Sequence, residues 1–195
     1  MSQGILARKG DKVLVALGSN AATDAGGPFE TVRSALNALE KRFGGLAISG
    51  FYQTPAFPAG SGPDFVNGAC SFQTDLPADD ILSDLHAIEA DFGRTRTMRW
   101  GQRTLDLDLI ACGDKVLPDL ATFTHWQTLP LDAQKTDAPN HLILPHPRLQ
   151  DRPFVLVPLA DIAPDWVHPV LGLSVMDMLE QHSTDARAEI RPLQP

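Results

Sequence analysis

Four arginines, Arg94, Arg96, Arg99 and Arg103, fall within ten residues with no acid among them, and two aspartates follow closely. Leu105, Leu107 and Leu109 alternate with Asp106 and Asp108, the period of a β-strand whose two faces differ. Residues two apart on a strand point the same way and stand roughly 6.5–7 Å apart. Carboxylates at that separation can share a pair of Mg2+ ions about 3.5–4 Å apart. Guanidinium groups on the loop that feeds the strand would supply positive charge to the phosphates such ions hold. The spacing points to phosphate transfer.

The background sharpens that reading. The chain has 195 residues and a formal net charge of −8, so bulk attraction to nucleic acid or to an anionic membrane is not expected. A basic patch on an acidic protein fits a small polyanion. Hydrophobic content of 43% and charged content of 21% are ordinary for one globular domain with a single core. Cys70 and Cys112 lie in apolar, strand-like runs and read as buried thiols in a reducing compartment. Met1 to Lys12 carries no apolar signal region, and no segment reaches the ~18 apolar residues of a membrane span, so a cytoplasmic location is expected. No P-loop, G-x-G-x-x-G, H-E-x-x-H or G-x-S-x-G is present. A nucleotide triphosphate would therefore be handled by arginines and metals.

The elements that must position these groups follow from periodicity. Val13 to Leu17 predicts a strand ending at Gly18-Ser19-Asn20, and Pro28 opens a helix whose apolar face ends at Gly44-Gly45. Leu46 to Thr54 and Phe65 to Thr74 read as strands around a Pro/Gly-rich loop, Pro55 to Asp64. A second helix, with Ile81, Leu82, Leu85 and Ile88 on one face, runs from Pro77 to Gly93, and the Asp-bearing strand spans 104–111. The order β-α-β-β-α-β predicts an α+β, ferredoxin-like antiparallel sheet with both helices on one face. Pro118 to His141 reads as a polar surface excursion, Phe154 to Ile162 as a short helix with Pro158 near its start, and Ser174 as the cap of a last helix. A C-terminal helical extension thus follows the core, with the tail from Ser183 loosely held. One domain is expected over 1–195.

With the motifs in place, the chain resembles the 6-hydroxymethyl-7,8-dihydropterin pyrophosphokinase family of the folate pathway. Arg94-x-Arg96 and Arg99-Trp100-Gly101-x-Arg103-Thr104-Leu105-Asp106-Leu107-Asp108 resemble its signature. Further matches are Val15 to Asn20, Phe51-Tyr-Gln-Thr-Pro55, Pro63-Asp-Phe-Val-Asn67, Ile88-Glu89, Leu144-Pro-His-Pro147, Arg152-Pro-Phe-Val-Leu156 and Pro158 to Pro164. They stand in family order from about residue 13 to 166. The resemblance implies transfer of the β,γ-pyrophosphoryl group of ATP to the pterin's hydroxymethyl oxygen, releasing AMP, with ATP as co-substrate and two Mg2+ ions. It implies that Asp106 and Asp108 hold the metals, and that Arg94 and Arg103 join them in catalysis. Glu89, Arg94, Arg96, Trp100, Arg103, Leu109, His146 and Arg152 match positions around the nucleotide. Thr54, Pro55, Phe57, Phe65, Asn67 and Phe154 match the pterin pocket, the two rings Phe65 and Phe154 sandwiching the heterocycle and Asn67 meeting its amide-like edge.

The chain departs from the family pattern at several positions. Phe65 stands where tyrosine is common, Gln102 replaces a common proline, His141 replaces a frequent arginine, and Pro118 to His141 is longer than in compact members. Two other readings compete. A two-metal phosphodiesterase would use the same acid pair on water but has no need of stacked rings at Phe65 and Phe154. A non-catalytic nucleotide-binding module would tolerate Asp106→Asn. The expected partners are small molecules only, ATP and the hydroxymethyl-dihydropterin. A monomer is expected, an oligomer left open.

Overall fold

The computed structural model describes residues 10–56, 62–93, 104–130, 133 and 137–193. Its frame is an antiparallel sheet of β1 (Asp11–Ser19), β2 (Ala47–Ile48), β3 (Phe51–Thr54), β4 (Phe65–Thr74), β5 (Asp106–Cys112) and β6 (Arg191–Leu193). The order is β5-β1-β4-β3-β6, with β2 also paired to β4. β1 lies between β5 and β4 and is buried along almost its whole length, which is why it reads as an apolar run without alternation. Helix α1 (Pro28–Phe43) leads from β1 toward β2 and β3, and α2 (Ala78–Asp91) leads from β4 to β5. Each helix thereby joins strands separated by one other strand, the interleaving that the element order predicts.

Both helices lie on one face. Val32, Leu36 and Leu39 of α1 and Ile81, Leu85 and Ile88 of α2 pack against Val13, Val15, Leu17, Cys70, Phe72, Leu107 and Leu109. Gly44 and Gly45, at φ of 70° and 63°, end α1 in a conformation that side chains disfavour. The opposite face is covered by the C-terminal helices α4 (Pro153–Ile162) and α5 (Val175–Glu180), whose Leu156, Leu159 and Met178 meet Leu14, Ala16, Ala69, Ile110 and Ala111. The result is three layers, with the two helices of the core and the C-terminal extension on opposite sides.

Four details differ from the sequence reading. The second strand is broken in two, because Gly50 N–H turns away to Asp161 on α4 at 2.9 Å and Ser49 takes over part of the pairing to Ala69. The excursion contains a helix, α3 (Leu120–Thr128), capped by Asp119 and anchored by fully buried Phe123. Phe123 packs on His168, 5.6 Å between ring centroids, so a partner 45 residues away decides that helix. Pro158 sits in the middle of α4, not near its start, since the helix begins at Pro153. Burial of Val155, Leu156 and Leu159 holds the helix through the missing bond. The segment after Ser183 forms α6 (Thr184–Ala188) and then β6, which pairs with β3 through Phe51–Leu193 and Gln53–Arg191. Among the described residues, no helix is long and apolar enough to cross a membrane.

Candidate active site

The acid pair stands where the alternation puts it. Leu105, Leu107 and Leu109 are all buried in the α1/α2 core, so Asp106 and Asp108 between them point to the other face. Opposite them on β1 are Gly18 and Ala16, two of the smallest residues. One residue beyond, the register skips: Leu14 faces Ala111 while Val15 faces Leu109, leaving Ile110 as the extra residue of a β-bulge. Ile110 and Ala111 therefore both join the core beneath α4, and the polar stretch begins where that apolar cover stops.

Strand β5 is the sheet's free edge, and its outward backbone groups need partners. Glu89 of α2, 2% exposed, accepts the Leu107 N–H at 2.7 Å. Glu89 is therefore no solvated helix-face residue. The carbonyl of Ile110 accepts the His146 N–H at 2.8 Å, which fixes the Pro145-His146-Pro147 segment alongside. Between α2 and that segment runs a cleft of about 650 Å3, floored by Asp106 to Leu109 and bordered by Glu89, His146, Arg148 and Arg152. Leu109 contributes at the strand edge only, since its side chain is spent in the core. Arg152, the residue before α4, donates from Nη1 to Asp108 Oδ2 at 3.1 Å. Burial, and then the Arg152 charge, push His146 well below the ordinary imidazole value, so its ring is neutral at pH 7. Its Nδ1 accepts the Arg148 N–H at 3.1 Å, which leaves the proton on Nε2. His141, where the family often has arginine, lies exposed on the rim.

A second constellation shares the same sheet face. Gly18 faces Asp106 on one side and Asn67 on the other, so the carboxylate and the amide stand in one row, roughly 9.5–10 Å apart by two strand spacings. Asn67 is 7% exposed and donates from Nδ2 to Thr54 Oγ1 at 2.6 Å, which orients the amide and directs Oδ1 over Gly18. A Cβ at Gly18 would stand 3.0 Å from that oxygen and 3.8 Å from the Phe65 ring. The glycine keeps a hollow open between acid and amide. Phe65 is half-buried and Phe154 is 39% exposed; neither ring joins the apolar core, against the ordinary expectation for phenylalanine. Pro55 is exposed and borders a small recess of about 80 Å3 with Gln53, Asp64 and Arg191, apart from the main cleft.

Two further residues of the Gly18-Ser19-Asn20 turn join the site. Ser19, fully buried, donates its hydroxyl to the Thr104 carbonyl at 2.6 Å. Asn20, 5% exposed, donates from Nδ2 to the Pro63 carbonyl at 3.3 Å. The end of β1 thus pins the exits of both the basic loop and the Pro/Gly-rich loop. The signal was present in Gly18-Ser19-Asn20, short polar residues directly after an apolar strand. Arg94, Arg96, Arg99, Trp100, Gln102, Arg103 and Phe57, all read as site residues or family positions, lie outside the described residues.

Among the described residues, no three His, Cys, Asp or Glu side chains form a metal cage. A pair of carboxylates suits Mg2+, a cation that keeps waters and takes its remaining oxygens from substrate phosphates. Sheet, edge cleft and acid pair together define an α+β protein with an open polar cleft along β5. Residues 14–164 match the sequence profile of 7,8-dihydro-6-hydroxymethylpterin-pyrophosphokinase (HPPK), and the chain belongs to that family. It is 40% identical over 144 residues to 2-amino-4-hydroxy-6-hydroxymethyldihydropteridine pyrophosphokinase of Synechocystis sp., covering 74% of this chain and 63% of that protein. The protein of the same name from Pseudomonas aeruginosa is 39% identical over 158 residues, 79% of this chain and 82% of that one. In fold, the chain resembles Plasmodium falciparum HPPK-DHPS, with a TM-score of 0.66 at 15% identity over 96% of this chain and 49% of that chain. The chain thus spans less than two thirds of the length of the Synechocystis relative.

Proposed function

We propose that this protein transfers the pyrophosphoryl group of ATP to the hydroxymethyl group of 6-hydroxymethyl-7,8-dihydropterin, yielding AMP and the pterin diphosphate for folate synthesis. The observation that carries the reading is the single row Asp106–Gly18–Asn67, which stands a carboxylate and an oriented amide on one face of the sheet. In the reaction the pterin hydroxyl oxygen attacks the β-phosphorus of ATP, the bond to the α,β-bridging oxygen breaks, and AMP leaves. No covalent protein nucleophile is needed; placement and charge neutralisation do the work. Asp106 and Asp108 would hold two Mg2+ ions, which supply charge neutralisation at the phosphates and lower the pKa of the attacking hydroxyl.

The chain's own residues divide the remaining tasks. Asn67, oriented by Thr54, reads the edge of the pterin, and the rings of Phe65 and Phe154 offer it two faces. Arg152 and the neutral ring of His146 serve the phosphates, together with Arg94, Arg96 and Arg103 from the basic loop. Glu89, Trp100 and Leu109 complete the nucleotide side, and Pro55 and Phe57 complete the pterin side. The protein acts as a monomer in the cytoplasm, with residues 1–195 making up one domain. The test is product identity: incubation with ATP, Mg2+ and the pterin alcohol yields AMP. ADP, or AMP formed equally without the pterin, would favour hydrolysis or another kinase reaction, for which the Asn67–Thr54 pair has no use.

A further inference from the structure

Trp126 faces the cleft from α3, half-buried, and its ring brings no charge to a phosphate. Asp79, Leu82, His86 and Glu89 are spaced three, four and three residues apart on α2, a stripe distinct from the core stripe of Ile81, Leu85 and Ile88, and all four line the cleft. Ten residues of α-helix rise about 15 Å. The cleft therefore runs about that far from Glu89, which touches Leu107 of the acid strand, toward Asp79. Phosphates held at Asp106, Asp108 and Arg152 leave the rest of a nucleotide to lie along this length.

Trp126 is placed to meet it. Phe123, three residues earlier and on the same side of α3, is fully buried against His168, so that side of the helix is turned toward the body of the protein. The His125 ring meets the indole edge-on, 5.7 Å between centroids at 80°, and buttresses it. Among the described lining residues Trp126 is the only indole or phenyl ring, and Leu82, Leu142 and Ile143 add apolar surface to the same cleft. A purine is the part of ATP that needs a flat apolar wall. We infer that Trp126 is a base-stacking residue that holds the purine of ATP against its indole face. The inference rests on the reading of this cleft as the ATP site, and it gives α3 a task in nucleotide binding.

The experiment compares two probes on the full chain with Mg2+, a non-hydrolysable ATP analogue and inorganic tripolyphosphate, which has the charge but no base. Calorimetric dissociation constants are measured for wild type, Trp126→Phe and Trp126→Ala. Stacking of one base is expected to make the alanine variant bind the analogue roughly ten-fold more weakly. Trp126→Phe should stay near wild type, and tripolyphosphate should bind all three alike. Unchanged analogue binding in Trp126→Ala overturns the inference, as does equal loss of both probes. AMP formation by the wild type, run in parallel, tests the proposed reaction separately. Its absence with intact Trp126-dependent binding sinks the reaction alone; AMP with an unchanged alanine variant sinks the stacking alone.

Discussion

At the scale of the residue, Gly18 separates the two polar side chains of the row. Asp106 and Asn67 face each other across a position without a side chain, and the Asn67 oxygen already stands 3.0 Å from where a Cβ would be. Gly18→Ala should therefore raise KM for the pterin about ten-fold while KM for ATP changes little, because a methyl presses on the amide and fills the hollow. Steady-state kinetics with each substrate varied in turn provide the check; equal shifts in both constants would show general damage. Arg152 makes a second prediction. Its guanidinium holds Asp108 in the free protein and must share that carboxylate with any metal. Arg152→Met should tighten Mn2+ binding to the nucleotide-free protein and weaken ATP binding, both read by calorimetry, since one charge competes with metal and assists phosphate.

At the scale of the element, α3 shows what the sequence withholds. The Asp-Leu alternation, both core helices and β4 are legible because each carries its own period, and Gly44-Gly45 and Ser174 mark ends by local rules. Helix α3 has little apolar stripe, and its single anchor, Phe123, meets His168 far along the chain; no local pattern announces that contact. The break between β2 and β3 is hidden for the same reason, since Asp161 of α4 makes it. In the site, the shared direction of Asp106 and Asp108 follows from the alternation, whereas Glu89 burial depends on α2 lying along β5, and the staples at Ser19 and Asn20 on which loops return to the end of β1. Phe123→Ala should cost about 3 kcal/mol in urea denaturation, the range for an emptied aromatic site. An exposed Phe123, costing nothing, would mean that α3 is not docked.

At the scale of the whole molecule, buried imidazoles set the acid limit. His168 is fully buried, its Nδ1 accepting the Val170 and Leu171 N–H groups, and burial lowers its pKa to about 4; burial likewise pushes His146 down. A native pKa below the unfolded value means that the unfolded chain takes up protons first as pH falls. Stability is thus complete above about pH 6.5 and lost as pH drops toward 4. The melting temperature should fall between pH 7 and 5, and His168→Asn, which can still accept from both N–H groups, should flatten part of that fall. Identical slopes for the two proteins in scanning calorimetry would remove His168 from the explanation.

On the proposed reading, two tasks share one sheet face, chemistry at the β5 edge and heterocycle recognition on β4. The most direct measurement of that division pairs Asp108→Asn turnover with its pterin affinity. AMP formation is expected to fall by at least about a hundred-fold, on the scale of losing a charge-stabilising group, while the calorimetric dissociation constant for the pterin stays within about two-fold of wild type, below one RT unit of binding energy. Full turnover in Asp108→Asn, or loss of pterin binding in step with turnover, would contradict the account.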